Sequence, residues 1–468
     1  MRLLFLLPLL AVFFPDRAVL GVPAEMPPPK ILHAGPISAR FVDGELRYIH
    51  AGGREIARRI YVAVRDDKWG TAKPEFTRVD LQQEDDAFTV KLEADCRSGA
   101  VDYTWKGTIT GTAAGEITFS VDGVANADFR SNRIGLCLLF GADALAGQAF
   151  KTSDESGDVT PGEFPKLVSP KLLATNFREL RYATPELMEV NARLTGSLFS
   201  MEDQRNYCDS SYKAFAPLSY DYPEIHRGAP ARQELTLTVF GAQQEAKPQD
   251  GVRLKIGAAI PGAKIPKVKE VATTLDVPSF EAINTHRDKF AGSKALSFRY
   301  DPTNHLRDDD TLMENVSALV DQVRTIRSFA PDAVISVGPI GFEPAPGSSV
   351  VETRTESPFG AAWSAEVLRT LSLAGVEEAA FAVPGNPARK IQQEIGHHCG
   401  ASVIETTVTA DGPFRAPVGA LCIEEKGKRI LWLINLTADI QEVTFDRPES
   451  PLTLQPWEVR DVELTGSN

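Results

Sequence analysis

From about residue 30 to residue 245, hydrophobic and polar residues alternate in short runs that turn residues separate. This period of two is typical of half-buried β-strands, and helical periodicity is nearly absent here. The clearest predicted strands lie at residues 45–50, 60–64, 88–93, 103–110 and 116–121. Isolated hairpins cannot hide a hydrophobic face, so this many strands in one segment predict a large antiparallel β super-sandwich.

After residue 253 the pattern changes to strands that alternate with amphipathic helices. Strands are predicted at residues 253–259, 295–300, 333–338 and 378–383. Between the second and third of them, Leu312, Val316, Leu319, Val323 and Ile326 recur at helical spacing behind a run of acids at residues 308–310, which suits a helix N-terminus. Further helices are predicted at residues 359–374 and 387–398, which completes a parallel α/β repeat.

The α/β segment is short for the barrel that its pattern suggests. An eight-stranded (β/α) barrel takes roughly 250 residues, and only about four strand-helix units fit here. We therefore expect a shortened (β/α) TIM-type barrel that has lost a block near residues 284–294. Such a remnant either stays open or closes by forming a homodimer.

The chain as a whole is predicted to be multidomain. A single Arg precedes an apolar run of twelve residues that is too short to cross a bilayer, which is typical of a secretory signal peptide and predicts export to the periplasm or the extracellular space. After residue 415 short strands return near residues 418–424, 430–436, 441–445 and 457–464. The predicted layout is a signal peptide at 1–24, an N-terminal β-sandwich at 30–245, a polar linker at 243–250, the partial barrel at 253–410 and a small C-terminal β-sandwich at 415–464.

Composition narrows the classes of partner. With 63 acidic and 50 basic residues the net charge is −13, so a nucleic-acid backbone would be repelled. No segment after the first residues is apolar enough for membrane insertion. The five cysteines are an odd number, and their pairing cannot be read from the sequence.

Neither a cofactor nor a metal is expected from the motifs. Glycine-rich phosphate loops and dinucleotide fingerprints do not occur. The run His397-His398-Cys399 has metal-binding residue types, but neighbours on a helix point about 100° apart and no second cluster completes a site.

Residues 201–215, MEDQRNYCDSSYKAF, combine five charged side chains with three aromatic ones. Neither a strand period nor a helix period accounts for this distribution. If the segment were buried, its charges would need partners, and if it were exposed, its rings would be in water. We expect these residues to converge at a surface, either on a polar ring-shaped ligand or on a neighbouring domain.

This signature resembles the MEDQRNWTDASFKTY-like segment of the D-apionate lactonase family. Weaker similarities occur at residues 301–305 (NPQVH-like), 357–363 (SLFGAAW-like) and 433–437 (LVANLT-like), and residues 128–136 resemble an NRIGL-like strand of carbohydrate-active super-sandwich domains. The resemblance implies a hydrolase of sugar-acid lactones with a β-rich N-terminal domain, a TIM-type barrel and a small C-terminal β domain. Tyr207 and Cys208 depart from the family's Trp and Thr.

Candidate catalytic residues are Glu202, Asp203, Asp301 and His305. Asp301 and His305 follow a predicted parallel strand, and barrel active sites open at the carboxyl ends of such strands. His305 suits a general acid or base near neutral pH, with Asp301 orienting it or acting directly. Glu202 and Asp203 would act as acid, base or ligand to a sugar hydroxyl. The alternative for the loop pair is a solvated carboxylate and a solvated imidazole.

Candidate substrate-binding residues complete the signature: Arg205, Asn206, Tyr207, Asp209, Tyr212 and Lys213. Arg205 could clamp a carboxylate with its planar fork. Tyr207 and Tyr212 could stack on a sugar ring, or they could pack with their hydroxyls satisfied. The alternative for the signature as a whole is a salt-bridge network between domains.

Two functional hypotheses follow. In the first, the protein is an exported hydrolase of a sugar-acid lactone or related carbohydrate, and water attacks a carbonyl with His305 or a signature acid as the base. In the second, it is a catalytically degenerate relative that binds a carbohydrate or another protein. The shortened barrel favours the second hypothesis, as does Ala382, which stands where the family pattern places a Glu after the fourth strand's aromatic residue.

Overall fold

The computed structural model describes residues 23–184, 188–216, 221–241, 251–272, 276–343, 352–382, 385–410, 416–445 and 451–464. The predicted signal peptide and the predicted linker lie almost entirely outside these ranges. Among the described residues, none of the helices has both the length and the apolar character needed to cross a lipid bilayer.

The first half of the described chain is built almost entirely of strands. In chain order its elements are β1 (Lys30–Ala34), β2 (Ile37–Val42), β3 (Glu45–Ala51), β4 (Arg54–Asp66), β5 (Pro74–Gln83), β6 (Phe88–Ser98), β7 (Val101–Thr112), β8 (Glu116–Ala125), β9 (Phe129–Gly141), the single-turn helix α1 (Ala142–Leu145), β10 (Ala149–Ser153), β11 (Val159–Glu163), β12 (Ala174–Phe177), β13 (Glu179–Ala183), β14 (Glu189–Thr195), β15 (Phe199–Asp203), a 3-10 helix (Gln204–Tyr207), β16 (Ser211–Phe215), β17 (Glu224–Ile225) and β18 (Pro230–Phe240).

These strands form two sheets of nine strands each. The first sheet has the order β1-β2-β3-β4-β9-β16-β15-β12, with β17 paired to β9, and the second has the order β11-β10-β13-β14-β18-β8-β7-β6-β5. One core joins them, because Phe41 and Phe140 of the first sheet and Val90 and Phe119 of the second belong to one buried cluster. The predicted strands at residues 45–50, 60–64, 88–93, 103–110 and 116–121 all fall within observed strands.

The second half mixes helices with strands. Its elements are β19 (Val252–Lys264), β20 (Lys267–Val271), α2 (Phe280–Thr285), α3 (Arg287–Phe290), β21 (Ala295–Tyr300), α4 (Asp309–Asn315), α5 (Ala318–Phe329), β22 (Val334–Ile340), a 3-10 helix (Arg354–Glu356), α6 (Pro358–Leu373), β23 (Glu378–Ala382), α7 (Asn386–Gly396), β24 (Ser402–Ala410), β25 (Val418–Glu425), β26 (Lys428–Asn435), β27 (Gln441–Phe445), β28 (Leu452–Leu454) and β29 (Val459–Leu464).

Four of these strands make a parallel sheet in the order β20-β23-β22-β21. Helices cover one face, where Phe298 and Tyr300 of β21 pack with Leu312, Leu319 and Trp363. On the opposite face the alternate residues of β21 are exposed, whereas Ala380 of β23 is buried. This arrangement differs from most parallel sheets, which are buried on both faces.

The strand predicted to open the parallel set does not belong to it. Residues 253–259 lie in β19, which pairs antiparallel to β24 and parallel to β27 in a different sheet. The opening parallel strand is β20 instead. The helix predicted through Leu312 and Ile326 is two helices, α4 and α5, which meet near residues 316 and 317.

The C-terminal strands form one seven-stranded sheet, in the order β28-β27-β19-β24-β25-β26-β29, rather than a sandwich of two sheets. Cys422 and Leu433 on one face contribute to a small core of their own. Leu421 and Trp432 on the other face pack with the helices of the α/β half. No cysteine among Cys96, Cys137, Cys208, Cys399 and Cys422 is paired in a disulfide.

The outer face of the first sheet packs against the α/β half through polar groups. Arg47 and Arg59 on β3 and β4 contact Asp308, which caps α4, at 2.7 and 3.1 Å. Burial by itself would raise the pKa of Asp308, but Arg47 and Arg59 lower it well below its usual range. The two halves of the molecule are therefore joined by paired charges.

Candidate functional site

The signature lies at the boundary where the first sheet meets the α/β half. Met201, Tyr212 and Ala214 belong to the sandwich core, whereas Lys213 lies on the opposite face and pairs across strands with Glu202. Both faces of this hairpin are covered, one by the sandwich core and the other by the α/β half, so most of its polar and apolar residues are buried. The segment is thus mostly buried, which differs from the surface expected from its charge content.

Arg205 and its carboxylate partners form a buried cluster between the halves. Its guanidinium contacts Asp203 at 2.7 and 2.9 Å and Asp321 of α5 at 2.9 Å. The remaining contacts go to the carbonyl oxygens of Pro165 and Lys166. Arg205 also lies over the ring of Tyr212, whose hydroxyl donates to Pro165. Every nitrogen of this guanidinium has a protein partner.

The loop after β21 is tied to the signature by three side chains. Asn304 donates to the carbonyl oxygen of Tyr207 at 3.0 Å. Asn315 of α4 donates to Asp209 at 2.8 Å and to the carbonyl of Pro302 at 3.2 Å. His305 contacts Asp209 through Nδ1. The loop and the signature therefore form one polar unit across the domain boundary.

These residues open onto a cleft of about 520 Å³. Five of the predicted site residues line it, together with Asn304: Glu202, Asn206, Tyr207, Asp301 and His305. Asp209 lies behind His305 and Lys213 lies behind Glu202. Asp203, Arg205 and Tyr212 are not among the lining residues. A cleft of this size is large enough for one small sugar.

Other lining residues were not among the site residues predicted from the sequence: Arg65, Trp69, Ser279, Phe280, Glu281 and Arg299. Trp69 is 42% exposed at the tip of the hairpin after β4, which is unusual for the largest aromatic residue. A tryptophan beside glycine in a polar turn is the one sequence signal that would have indicated it. Arg65 lies more than 130 residues before the signature and carries no such signal.

The ionisable groups of the cleft are shifted by burial. Burial lowers the pKa of His305, although Asp209 acts in the opposite direction. Burial raises the pKa of Asp301 to about 6. It also raises the pKa of Cys208 to about 12, which keeps this thiol protonated and unsuited to nucleophilic attack. At neutral pH the cleft therefore contains a neutral imidazole held by a carboxylate.

Lys213 is a buried lysine without a hydrogen-bond partner for its Nζ. Burial, reinforced by Arg133 and Arg65 and opposed by Glu202 and Cys137, lowers its pKa to about 7. Tyr61 and His305 also face it. The side chain is thus close to its titration midpoint at neutral pH.

A Lys213→Met variant is expected to be more stable than the wild type at pH 7, with the difference shrinking towards pH 10. Between these values the unfolded chain holds a proton that folded Lys213 has lost, so wild-type stability rises with pH. Urea unfolding at pH 7, 8.5 and 10 would measure this, with exposed Lys106→Met as the control. Parallel pH dependences for both variants and the wild type would contradict the assignment.

A different place in the described structure has metal-ligand geometry. Asp128, Glu224 and His226 place their ligand atoms within 4.8 Å of one another, and all three are exposed. They lie just before β9, on β17 and just after β17, and they are not among the residues that line the cleft. His398 of the predicted His-Cys run contacts Glu425 at 2.7 Å instead.

Both halves of the chain match protein-family models. Residues 18–242 match the family model of the D-apionate lactonase N-terminal domain, and residues 276–402 match that of the D-apionate lactonase TIM barrel domain. A D-apionate lactonase of Brucella anthropi is 31% identical over 287 residues, which cover 58% of this chain and 46% of that protein. The chain thus spans about half the length of this curated relative.

Solved structures show only distant likeness. A beta-arabinopyranosidase has 8% identity and a TM-score of 0.32, with 93% of this chain and 98% of that chain covered. An alpha-galactosidase from Lactobacillus brevis has 12% identity and a TM-score of 0.31, with 79% and 66% covered. Likeness at this level supports no functional assignment.

Proposed function

This chain belongs to the D-apionate lactonase family, and we propose that it hydrolyses the lactone of a sugar acid in the cleft between its β-sandwich and its α/β half. The observation that carries the proposal is the contact between His305 and Asp209 inside that cleft. A carboxylate on Nδ1 fixes the imidazole's orientation and leaves Nε2 as the nitrogen available to water. The tautomer is inferred from this contact.

The proposed reaction needs one base and one oxyanion donor. Nε2 of His305 takes a proton from water while the water oxygen attacks the lactone carbonyl. The carbonyl oxygen gains the negative charge. Nδ2 of Asn206 is a neutral donor in the cleft that suits this oxygen, since the Oδ1 of the same side chain already accepts from Asn284 at 2.8 Å. When the ring C–O bond breaks, the imidazolium returns its proton to the leaving oxygen. The product is the open-chain sugar acid.

Recognition of the sugar would come from acceptors and rings around His305. Glu202 and Asp301 supply carboxylate oxygens for hydroxyl groups. Tyr207 stands edge-on to His305, with ring centroids 5.8 Å apart, and Trp69 offers an exposed ring. A polar ring-shaped ligand suits this combination of acceptors and apolar faces.

The α/β half is best explained as a shortened barrel. In a closed barrel the first strand adjoins the last, and here β20 adjoins β23, the last parallel strand. A block lost between β20 and β21 would produce this order. The proposed site does not need the lost strands, because its residues come from the first sheet and from the loop after β21. Ala382 is not among the residues that line the cleft.

The test is a pH-stat assay of the purified protein with a panel of aldonolactones, including D-apionolactone, under conditions where spontaneous hydrolysis is subtracted. We expect saturable alkali consumption with at least one lactone. Binding of a lactone without turnover would instead support a degenerate, carbohydrate-binding relative. The exported location stays a prediction from the first residues of the sequence.

A Trp69→Ala variant should raise KM roughly 2- to 12-fold with little change in kcat, since one aromatic contact contributes about 0.5–1.5 kcal/mol. Stability should change little, because 42% of Trp69 is exposed and the residue lies in a turn outside the sandwich core. Exposed Phe240 on β18 provides the control substitution Phe240→Ala. An unchanged KM in Trp69→Ala would remove this ring from the proposed sugar contacts.

A further inference from the structure

Three basic side chains cluster on the outer face of the first sheet, beside the cleft. Arg65 on β4 pairs across strands with Arg133 on β9, and Lys213 on β16 lies on the same face next to Glu202. Each of the three is at most 3% exposed. Arg65 reaches the cleft directly, whereas Arg133 and Lys213 are not among its lining residues.

The donors of this cluster are largely unsatisfied within the described part of the chain. Nε of Arg65, Nε and Nη1 of Arg133 and Nζ of Lys213 are buried without a hydrogen-bond partner. The nearest carboxylate is Glu202, whose Oε1 lies 3.8 Å from Nη2 of Arg133 and also accepts from Gln204 at 2.7 Å. By contrast, the guanidinium of Arg205 in the same signature has every nitrogen engaged.

Such an excess of buried positive charge is costly. A buried charge without a partner destabilises a fold by several kcal/mol, and buried donors without acceptors add to the penalty. Other buried cations of this molecule are paired with carboxylates: Arg47 and Arg59 both form ion pairs with Asp308. A ligand that brings negative charge would satisfy the cluster where it opens onto the cleft, which is at Arg65.

We propose that the Arg65 end of the cleft binds the carboxylate of a sugar acid, with Lys213 and Arg133 supplying positive charge behind it. Arg65 presents a planar fork that matches a carboxylate, and the neighbouring acceptors and rings suit a polyhydroxylated chain. This inference rests on the proposed function for the choice of a sugar acid over other anions. Beyond the proposed function, it specifies that the ligand is an anion and that Arg65 recognises it.

The carboxylate could come from either of two sources. It could be the product's own carboxylate, which forms when the lactone opens, so that the product inhibits. It could instead belong to a substrate that carries a second acid group beside the lactone, as an aldaric acid lactone does. In both cases a carboxylate binds to Arg65, and kinetic measurements distinguish the two cases.

Binding is tested first with isothermal titration calorimetry on the purified wild-type protein at pH 7 and constant ionic strength. The probes are sodium D-gluconate and D-glucitol, which differ in the terminal carboxylate against a hydroxymethyl group. We expect gluconate to bind at least tenfold more tightly than glucitol. Equal affinities, or no detectable gluconate binding, would overturn the proposal whether or not the protein hydrolyses lactones.

Variants then locate the contact. Arg65→Met should weaken gluconate binding at least tenfold and leave glucitol binding unchanged. Arg299→Met is the matched control, since Arg299 also lines the cleft but is half-exposed and paired with Glu343 at 3.3 Å. Arg65→Gln keeps the site polar if the Met variant fails to fold. Wild-type gluconate affinity in a folded Arg65 variant would overturn the assignment.

Kinetics identifies the source once turnover is found. D-glucaro-1,4-lactone, which carries a free carboxylate, is compared with D-glucono-1,4-lactone. A second acid group on the substrate predicts a higher kcat/KM for the glucarolactone, and this advantage disappears in Arg65→Met. A product role predicts equal kcat/KM values and competitive inhibition by gluconate that Arg65→Met relieves. Absence of turnover on every lactone would refute the proposed function, while the calorimetry would still decide the carboxylate site.

Discussion

Replacing His305 by alanine is expected to lower kcat/KM for the best lactone by roughly 10²- to 10⁴-fold, which is the usual contribution of a positioned general base. The imidazole lines the cleft and its Nδ1 is held by Asp209, which leaves Nε2 to accept the proton of water. Initial rates by pH-stat would measure the loss. His397→Ala, an exposed histidine at the end of α7, is the matched control.

The pH profile gives the same prediction a second observable. Burial lowers the pKa of His305 below its ordinary value of 6.5, so the imidazole is neutral and active at pH 7. Activity should fall only when the pH drops through that lowered pKa, and Asp209→Asn should shift this acid limb further down because it removes the charge that favours the imidazolium. Near wild-type activity in His305→Ala, or an acid limb that Asp209→Asn leaves in place, would contradict the role of His305.

The second large effect is on stability. Arg205→Met should lower the free energy of unfolding by about 3–5 kcal/mol, because removing one member of a buried ion pair leaves the others uncompensated. Asp203 is buried and Asp321 joins it on the opposite side of the domain boundary, so Asp203 would lose its cationic partner and Asp321 would lose the buried one of its two. Urea denaturation followed by circular dichroism measures the change as a lower midpoint.

A control for the Arg205 variant exists on α5, the helix that carries Asp321. Arg324 contacts the second oxygen of Asp321 at 2.7 Å, but its side chain is 57% exposed. Exposed ion pairs contribute about 0–1 kcal/mol, so Arg324→Met should be nearly neutral. If the two arginine variants unfolded at the same urea concentration, the buried cluster would not be holding the two halves together.

Local pattern was enough to predict most elements. Strands with one buried face, such as β6 and β7, alternate in sequence and were predicted within a few residues. The helical spacing at α6 and α7 was equally clear, and Asp308 was expected at a helix start, where its side chain accepts from the backbone nitrogen of Thr311. These features depend only on residues that are close together in the chain, so they can be read from a single sequence.

Partners across the fold could not be predicted in the same way. The strand at residues 253–259 was recognised, but its pairing with β24 and β27 joins segments about 150 and 190 residues away. The signature has no visible period because its hairpin is covered by the sandwich core on one face and by the α/β half on the other. Whether a charged residue there meets a ligand or another domain depends on those distant partners.

The candidate site, too, was predictable only where local sequence was enough. Asp301 and His305 were indicated by the rule that parallel strands open at their carboxyl ends, and the signature by its charge density. Only the structure shows that they meet in one cleft, and that Arg65 of β4 and Trp69 of the turn after β4 line the same cleft. The sequence also could not show that Arg205 is saturated by protein partners whereas Arg65 and Lys213 are not.

The central claim is that the sandwich and the α/β half together form one hydrolytic site, and a double-mutant cycle tests it most directly. The measurement is kcat/KM by pH-stat for wild type, Glu202→Gln, His305→Ala and the double variant, with Glu202 from the first sheet and His305 from the loop after β21. Because Glu202 accepts a hydroxyl group of the same lactone that His305-activated water attacks, each single change should lower kcat/KM. Positioning of the lactone by Glu202 matters little once the base is gone, so the double variant should lose less than the product of the two losses. A Glu202→Gln variant with wild-type turnover, or losses that multiply independently, would contradict a shared site.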